Sequence, residues 1–348
     1  DSVKSRGLGD VYKRQPYDSL ISKYDIDYDS VKIDEVFSII DKEIIPKYKN
    51  IQKIKSPFIY KSDISDVKII KEIKIKLQQL NFDFDRGRID QSHHPFCGGA
   101  TNDVRITTRF EENILESLSA LFHETGHGVY EQNRPIQYLY EPLGQSRSLS
   151  VHESQSLFFE NHIFKSQTYF KIINTIFDNS KDLEKSFLEH YHTVRINPIR
   201  VSADEFSYPI HVFIRYQIEK EIFKNKIKFK DIKDLWNKKY LDHLEIDLIS
   251  DSEGVLQDIH WYEGIFGYFP TYALGAMIAS QIKYNCPLFY IFLKNPDEEN
   301  IKQLIIWLNN NIHQKASLYS SDEMLQSISG EKLNSKYYLE HLVGRFVK

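Results

Sequence analysis

Apolar residues at helical spacing run through nearly the whole chain, and only one stretch interrupts them. Val36, Phe37, Ile39, Ile40, Ile44 and Ile45 recur three and four apart until Pro46 breaks the run. Val67, Ile69, Ile70, Ile73, Ile75, Leu77 and Leu80 predict a second helix over about 66–81. After Glu111 the same spacing predicts helices over roughly 111–132, 150–178, 181–193, 203–224, 230–248, 270–284, 297–315 and 321–346. In between, residues 85–102 are dense in Gly, Asn, Asp, Ser and Pro and read as loop. Asp103–Phe110 alternates Val104, Ile106 and Thr108 against Arg105, Thr107 and Arg109, which predicts a short strand. A chain patterned in this way folds as a mainly α body carrying one small β element. Its 22 Tyr and 22 Phe suit aromatic packing between long helices.

Composition narrows the function classes. Of 348 residues, 41% are hydrophobic and 27% charged, globular values that exclude wholesale disorder. Lys and Arg number 45 against 49 Asp and Glu, so the basic surplus of a dedicated nucleic-acid binder is missing. The longest apolar stretch, Ile265 to Ala279, is broken by Gly267, Pro270 and Gly275 and is shorter than the ~18–20 residues of a membrane span. Neither nucleic acid nor membrane is therefore an expected partner. Two cysteines, Cys97 and Cys286, make no disulfide scaffold and fit a reducing cytoplasm, and no secretory signal opens the chain.

Residues Asp1 to Gln15 differ from the body in composition, and the run RGLGDVYKRQ resembles translated sequencing-library adapter. A natural basic N-terminal arm is the other reading. We set the segment aside from the fold; on the adapter reading the gene continues upstream.

Histidine is concentrated: 11 of 13 lie between His93 and His260. The sharpest element is His123-Glu124-Thr125-Gly126-His127. Positions i and i+4 stack on one helical face, so His123 and His127 present two imidazoles to one metal, and Glu124 is placed to take a proton from water. A catalytic site of this kind needs a third protein ligand. Glu153, on the next helix, supplies it, while Ser150-x-x-Glu153 also reads as a capping box. His152 is an alternative ligand.

Six motifs occur in order: His94-Pro95-Phe96, Asp103-x-Arg105-x-Thr107, His123-Glu124-x-x-His127, His152-Glu153-Ser154, Ile199-Arg200-x-x-Ala203-Asp204 and Gly254-x-x-Gln257-Asp258-x-His260-Trp261. Together they resemble the carboxypeptidase Taq family of metallopeptidases, from about residue 16 onward. The resemblance implies a large, neurolysin-like helical body with a deep groove and the β element beside the metal helix. It divides the chain into an N-terminal helical segment, 16–84, and a catalytic domain, 85–348; a further helical stretch at the front of family members is absent here.

For the site, the resemblance implies zinc on His123, His127 and Glu153, with Glu124 as general base. Cobalt or manganese could occupy the same N/N/O donor set. His260 and Tyr272, the latter preferred over Tyr268, are the implied donors to the developing oxyanion. A carboxypeptidase must also read a free C-terminal carboxylate, which a planar guanidinium matches best. Arg105 and Arg200 are the candidates, each with an internal ion pair as the competing role, to Asp103 and Asp204 respectively. His94 is an expected substrate contact, and Gln257 with Asp258 either touches substrate or orients His260. The strand 103–110 is expected to offer an edge to an extended peptide.

The expected activity is release of single amino acids from peptides with a free C-terminus, with broad specificity and C-terminal proline disfavoured, by a cytoplasmic homodimer. Two rivals remain open: a dipeptidyl carboxypeptidase or oligopeptidase of the same helical class, and a non-catalytic peptide- or metal-binding protein.

Overall fold

The computed structural model describes residues 16–93, 95–110 and 113–347. The residues set aside at the N-terminus, and His94, lie outside the described residues. The described residues open with helices α1 (Pro16–Ile21), α2 (Ser30–Ile39) and α3 (Ile45–Asn50) and a short strand β1 (Lys53–Ile54). Then come α4 (Asp66–Gln79), strands β2 (Gly87–Gln91), β3 (Cys97–Ala100) and β4 (Asp103–Thr108), and helices α5 (Ile114–Gln132), α6 (Leu149–Leu157), α7 (Gln167–Asn174) and α8 (Lys181–Tyr191). Strand β5 (Val194–Arg195) leads to α9 (Tyr208–Phe223) and α10 (Ile232–Leu244). The chain closes with α11 (Pro270–Asn285), α12 (Pro287–Lys294), α13 (Glu298–Asn311), α14 (Ser321–Ser329) and α15 (Lys336–Phe346).

Contacts divide the described residues into two units. The first holds residues 16–55 and 194–273, and the second 56–193 and 274–346. In the first, β1 pairs in parallel with β5, Lys53 opposite Val194. Its core includes Phe37, which meets Phe213 and Tyr216 of α9 edge-on, and Tyr17, stacked on Phe223. In the second unit, β4 is the central strand of a three-stranded sheet, parallel to β2 and antiparallel to β3. That sheet packs against α5: a Cβ at Gly128 would meet the Phe82 ring at 2.7 Å and Ile106 Cγ2 at 3.2 Å.

The mainly helical expectation is met, with local differences that have physical causes. Residues 85–102 hold two strands, because β4 supplies ladder partners even to Gly-containing segments, as it does for Cys97–Ala100 opposite Asp103–Ile106. The expected helix 150–178 is α6, a π-helical turn over Phe158–Phe164, a break at Lys165–Ser166, and α7. The expected helix 321–346 is two helices, since Gly330 adopts a left-handed φ of 79° and ends α14. Pro46 does not stop a helix: α2, a π-helical turn over Ile40–Ile44 and α3 run on without a break, and the wider turn just before Pro46 accommodates its missing N–H. Among the described residues, no helix is long and apolar enough to cross a membrane, and both cysteines are free thiols.

Candidate metal centre

The site is built on α5. The Asn113 side chain accepts from Leu115 N and starts the helix. From there one stripe at i, i+4, i+8 and i+12 reads Ser119, His123, His127 and Glu131. Gly126 lets α6 approach: a Cβ there would stand 2.4 Å from the Gln155 carbonyl oxygen. The start of α6 is Ser148, whose hydroxyl accepts from Val151 N at 3.2 Å. The capping-box reading of Ser150 and Glu153 is thereby corrected. Glu153 lies a turn inside the helix and faces α5.

His123, His127 and Glu153 each offer one donor atom, all within 4.8 Å of one another. Glu153 Oε2 is 3.7 Å from His123 Nε2 and 3.5 Å from His127 Nε2. Donors bound at about 2.0–2.2 Å to one tetrahedral ion stand roughly 3.3–3.6 Å apart, so the set fits a divalent metal. Burial pulls the His123 imidazolium down, but Glu153 and Glu160 outweigh it and raise its pKa to about 10. Burial, then the neighbouring His152, lowers His127 to about 4. A cation held here would take the place of the His123 proton, since a histidine binds metal through a deprotonated nitrogen. Glu124 is buried beside the triad, and burial, reinforced by Glu153 and Glu160, raises its carboxyl to about 7.

Both ligand histidines have their second nitrogen engaged. His123 Nδ1 is 2.9 Å from Glu160 Oε2, and Glu160 also accepts from Ser119 and from Lys165, each through Oε1. His127 Nδ1 is 2.6 Å from His152 Nδ1, and His152 Nε2 is 2.8 Å from Glu131 Oε1. The alternative of His152 as a ligand therefore falls away. Glu131 and Glu160 were missed in the sequence; extending the His123/His127 stripe by four finds Glu131, and Glu160 lies seven residues after Glu153 on the same helical face.

The remaining motif residues gather in the first unit. Arg200 donates from Nε and Nη2 to Asp258 Oδ1 at 2.9 and 2.8 Å, and from Nη1 to the Tyr208 hydroxyl. Its ion-pair partner is thus Asp258 and not Asp204, whose carboxylate accepts from the Arg195, Phe206 and Ser207 backbone. Arg215, fully buried and unnoticed in the sequence, takes the other Asp258 oxygen at 2.6 Å. Burial alone would raise the Asp258 carboxyl, but Arg215 and Arg200 hold it below the ordinary value.

Gln257 accepts from Arg200 N and Arg215 Nη2 and donates to Pro198 and Glu253 carbonyls. Its amide is committed inside the protein, which corrects its reading as a substrate contact. His260 Nε2 and the Tyr272 hydroxyl are 3.2 Å apart, and burial with the two arginines lowers His260 to about 4. Glu219 accepts from the Tyr17 hydroxyl, Trp261 Nε1 and Gly267 N, tying the loop around His260 to α9.

Arg105 lies on the exposed face of β4 with Nε and Nη2 on Asp103 at 3.1 and 2.8 Å. The expectation that this strand presents an edge is overturned, because β2 and β3 occupy both its sides.

Comparisons with known proteins place the chain among metallopeptidases. The sequence model described as carboxypeptidase Taq (M32) metallopeptidase matches residues 4–346. Carboxypeptidase 1 of Bacillus subtilis (strain 168) is 36% identical over 352 residues, which span 96% of this chain and 69% of that protein. Thermostable carboxypeptidase 1 of Pyrococcus furiosus is 30% identical, spanning 97% and 70%. Among solved structures, Trypanosoma cruzi metallocarboxypeptidase 1 superposes with a TM-score of 0.85 at 33% identity, over 98% of this chain and 74% of the other. With the histidine pair, the carboxylate and the buried glutamate in place, the chain belongs to the carboxypeptidase Taq (M32) family of metallopeptidases.

Proposed function

We propose that the protein releases single amino acids from peptide C-termini with broad specificity, using zinc held by His123, His127 and Glu153 and Glu124 as general base. The observation that carries this reading is the convergence of two imidazole nitrogens and one carboxylate oxygen beside a buried carboxyl. When bound, zinc supplies Lewis-acid polarisation of the scissile carbonyl and lowers the pKa of the attacking water. Glu124 accepts that water's proton on its carboxylate and delivers it to the leaving amine nitrogen.

His260 and Tyr272 are the proposed oxyanion donors, supported by the resemblance and by their mutual hydrogen bond. His260 is neutral at pH 7 and offers one N–H. Arg200 and Arg105 are the proposed readers of the substrate carboxylate; of five guanidinium donors in Arg200, three go to Asp258 and Tyr208. His94 is a proposed substrate contact on the resemblance alone. The resemblance also supports a homodimer, and the two free thiols suit a cytoplasmic setting.

The test compares the zinc-loaded protein with its Glu124→Gln variant on an N-blocked peptide with a free C-terminus and on the C-terminal amide twin, with products read by mass. Stepwise loss of single residues from the free acid only, reduced at least ~100-fold by Glu124→Gln, is the expected result. Dipeptide products or cleavage of the amide move the reading to a dipeptidyl carboxypeptidase or oligopeptidase. Bound zinc without cleavage leaves a non-catalytic protein.

A further inference from the structure

Resting on the zinc reading above, we infer that His152 is a positioning residue that sets the tautomer of the ligand His127, and that Glu131 and Arg134 hold His152 in that role. Two ring nitrogens 2.6 Å apart, His127 Nδ1 and His152 Nδ1, share one proton. Its place follows from the two ends of this hydrogen-bonded series. Glu131 takes the Arg134 guanidinium on Oε2 at 2.7 Å and faces His152 Nε2 with Oε1 at 2.8 Å. An ionised carboxylate only accepts, so His152 donates from Nε2, and a lone pair kept on His127 Nε2 for the metal puts the shared proton on His127 Nδ1, with His152 Nδ1 accepting it. His127 then donates from Nδ1, and its Nε2 lone pair is turned toward Glu153. The opposite arrangement puts a proton on His127 Nε2 and removes it from the donor set.

Arg134 is itself buried and fixed, donating to the Gly144 carbonyl, Gln145 Oε1 and Thr101 Oγ1. The order Arg134, Glu131, His152, His127 thus runs from the β3–β4 turn to the donor set, all within the second unit. The two ligands are backed differently. His123 rests directly on a carboxylate, the usual outer-shell partner of a ligand histidine, whereas His127 rests on a second imidazole interposed before one.

Chelator competition gives the zinc dissociation constant of the parent protein and of His152→Phe, His152→Asn and Glu131→Gln, and the visible spectrum of each cobalt form reports ligand geometry. His152→Phe is expected to weaken binding about 10–100-fold. His152→Asn should weaken it less, because its amide oxygen sits near the lost Nδ1 and accepts the same proton. A space-filling role reverses that order, since Phe keeps the volume of the ring, and would overturn the inference. If His152→Phe does not fold, as judged by melting of the metal-free protein, the isosteric Glu131→Gln carries the test. Its amide can turn an N–H toward His152 and invert both tautomers, with about a tenfold loss expected. Folded variants that bind zinc within twofold of the parent overturn the inference and leave the zinc reading standing. A parent that binds no zinc, or whose binding survives His123→Ala, overturns both.

Discussion

Gly126 and Gly275 show how single residues place a ligand without touching it. A Cβ at Gly126 would lie 2.4 Å from a backbone oxygen of α6 and 2.7 Å from Ser156 Cα, and one at Gly275 would lie 2.7 Å from Glu153 Cγ. Glu153 is held by two close helix approaches, and neither obstruction at Gly126 is a flexible side chain. Gly126→Ala is therefore expected to destabilise by about 1–3 kcal/mol despite the better helix propensity of Ala, and to weaken zinc binding. Urea unfolding and chelator competition measure the two effects; an unchanged midpoint would show that α6 yields freely. At this scale the sequence was informative where chemistry has a fixed spacing. His123 and His127 announce themselves by i+4, and Glu153 by the need for a third donor. Gly126 was legible only as a filler inside the motif, because its role is set by the partner helix. Arg215 carried no signal, since a buried arginine in α9 is explained only by Asp258, 43 positions along the chain.

Elements were legible where their own residues decide them and obscure where a neighbour does. The period of α5 and the alternation of β4 are intrinsic, so both were read correctly. Strands β2 and β3 are Gly-rich and polar; they exist because β4 lies between them, and the same pairing removes the edge expected for substrate. The loop after α10 is a further case, with no regular structure from Glu245 to Phe269 yet anchored by Asp258 and Gln257 on Arg200 and Arg215 and by Trp261 and Gly267 on Glu219. Asp258 neutralises two buried guanidiniums, so Asp258→Ala leaves both without their counter-charge. The expected loss is about 3–5 kcal/mol, measured by urea unfolding. A loss below ~1 kcal/mol would mean that water reaches the arginines in its place.

At the scale of the molecule, Glu219 gives stability a distinctive pH dependence. It is fully buried, and burial raises its carboxyl to about 7 although Tyr17, Trp261 and Gly267 donate to it. The unfolded chain has an ordinary glutamate value near ~4.3. Between these values the folded state binds the extra proton, so this contribution to stability is greatest below about pH 4.3 and declines as pH rises to about 7. The decline is on the order of 3 kcal/mol. Subtracting the parent's unfolding free energy from that of Glu219→Gln at each pH isolates the group. The difference should rise by roughly that amount between pH 4.5 and 7.5, and a flat difference would show that Glu219 is ionised throughout.

The pairing of β1 with β5 has a consequence in time. Lys53 meets Val194, and Phe37 and Tyr17 pack on α9, so the helices made early have no core until the ribosome has passed residue 223. At about 5–20 residues per second, α1–α3 wait roughly 9–34 s with their apolar faces open. Glu153 emerges well inside that wait, so all three proposed metal donors are in the cell before α1–α3 find their partners on α9. For a nascent chain of this topology, α1–α3 stay exposed until α9 is made, and the elongation rate sets how long a chaperone must hold them.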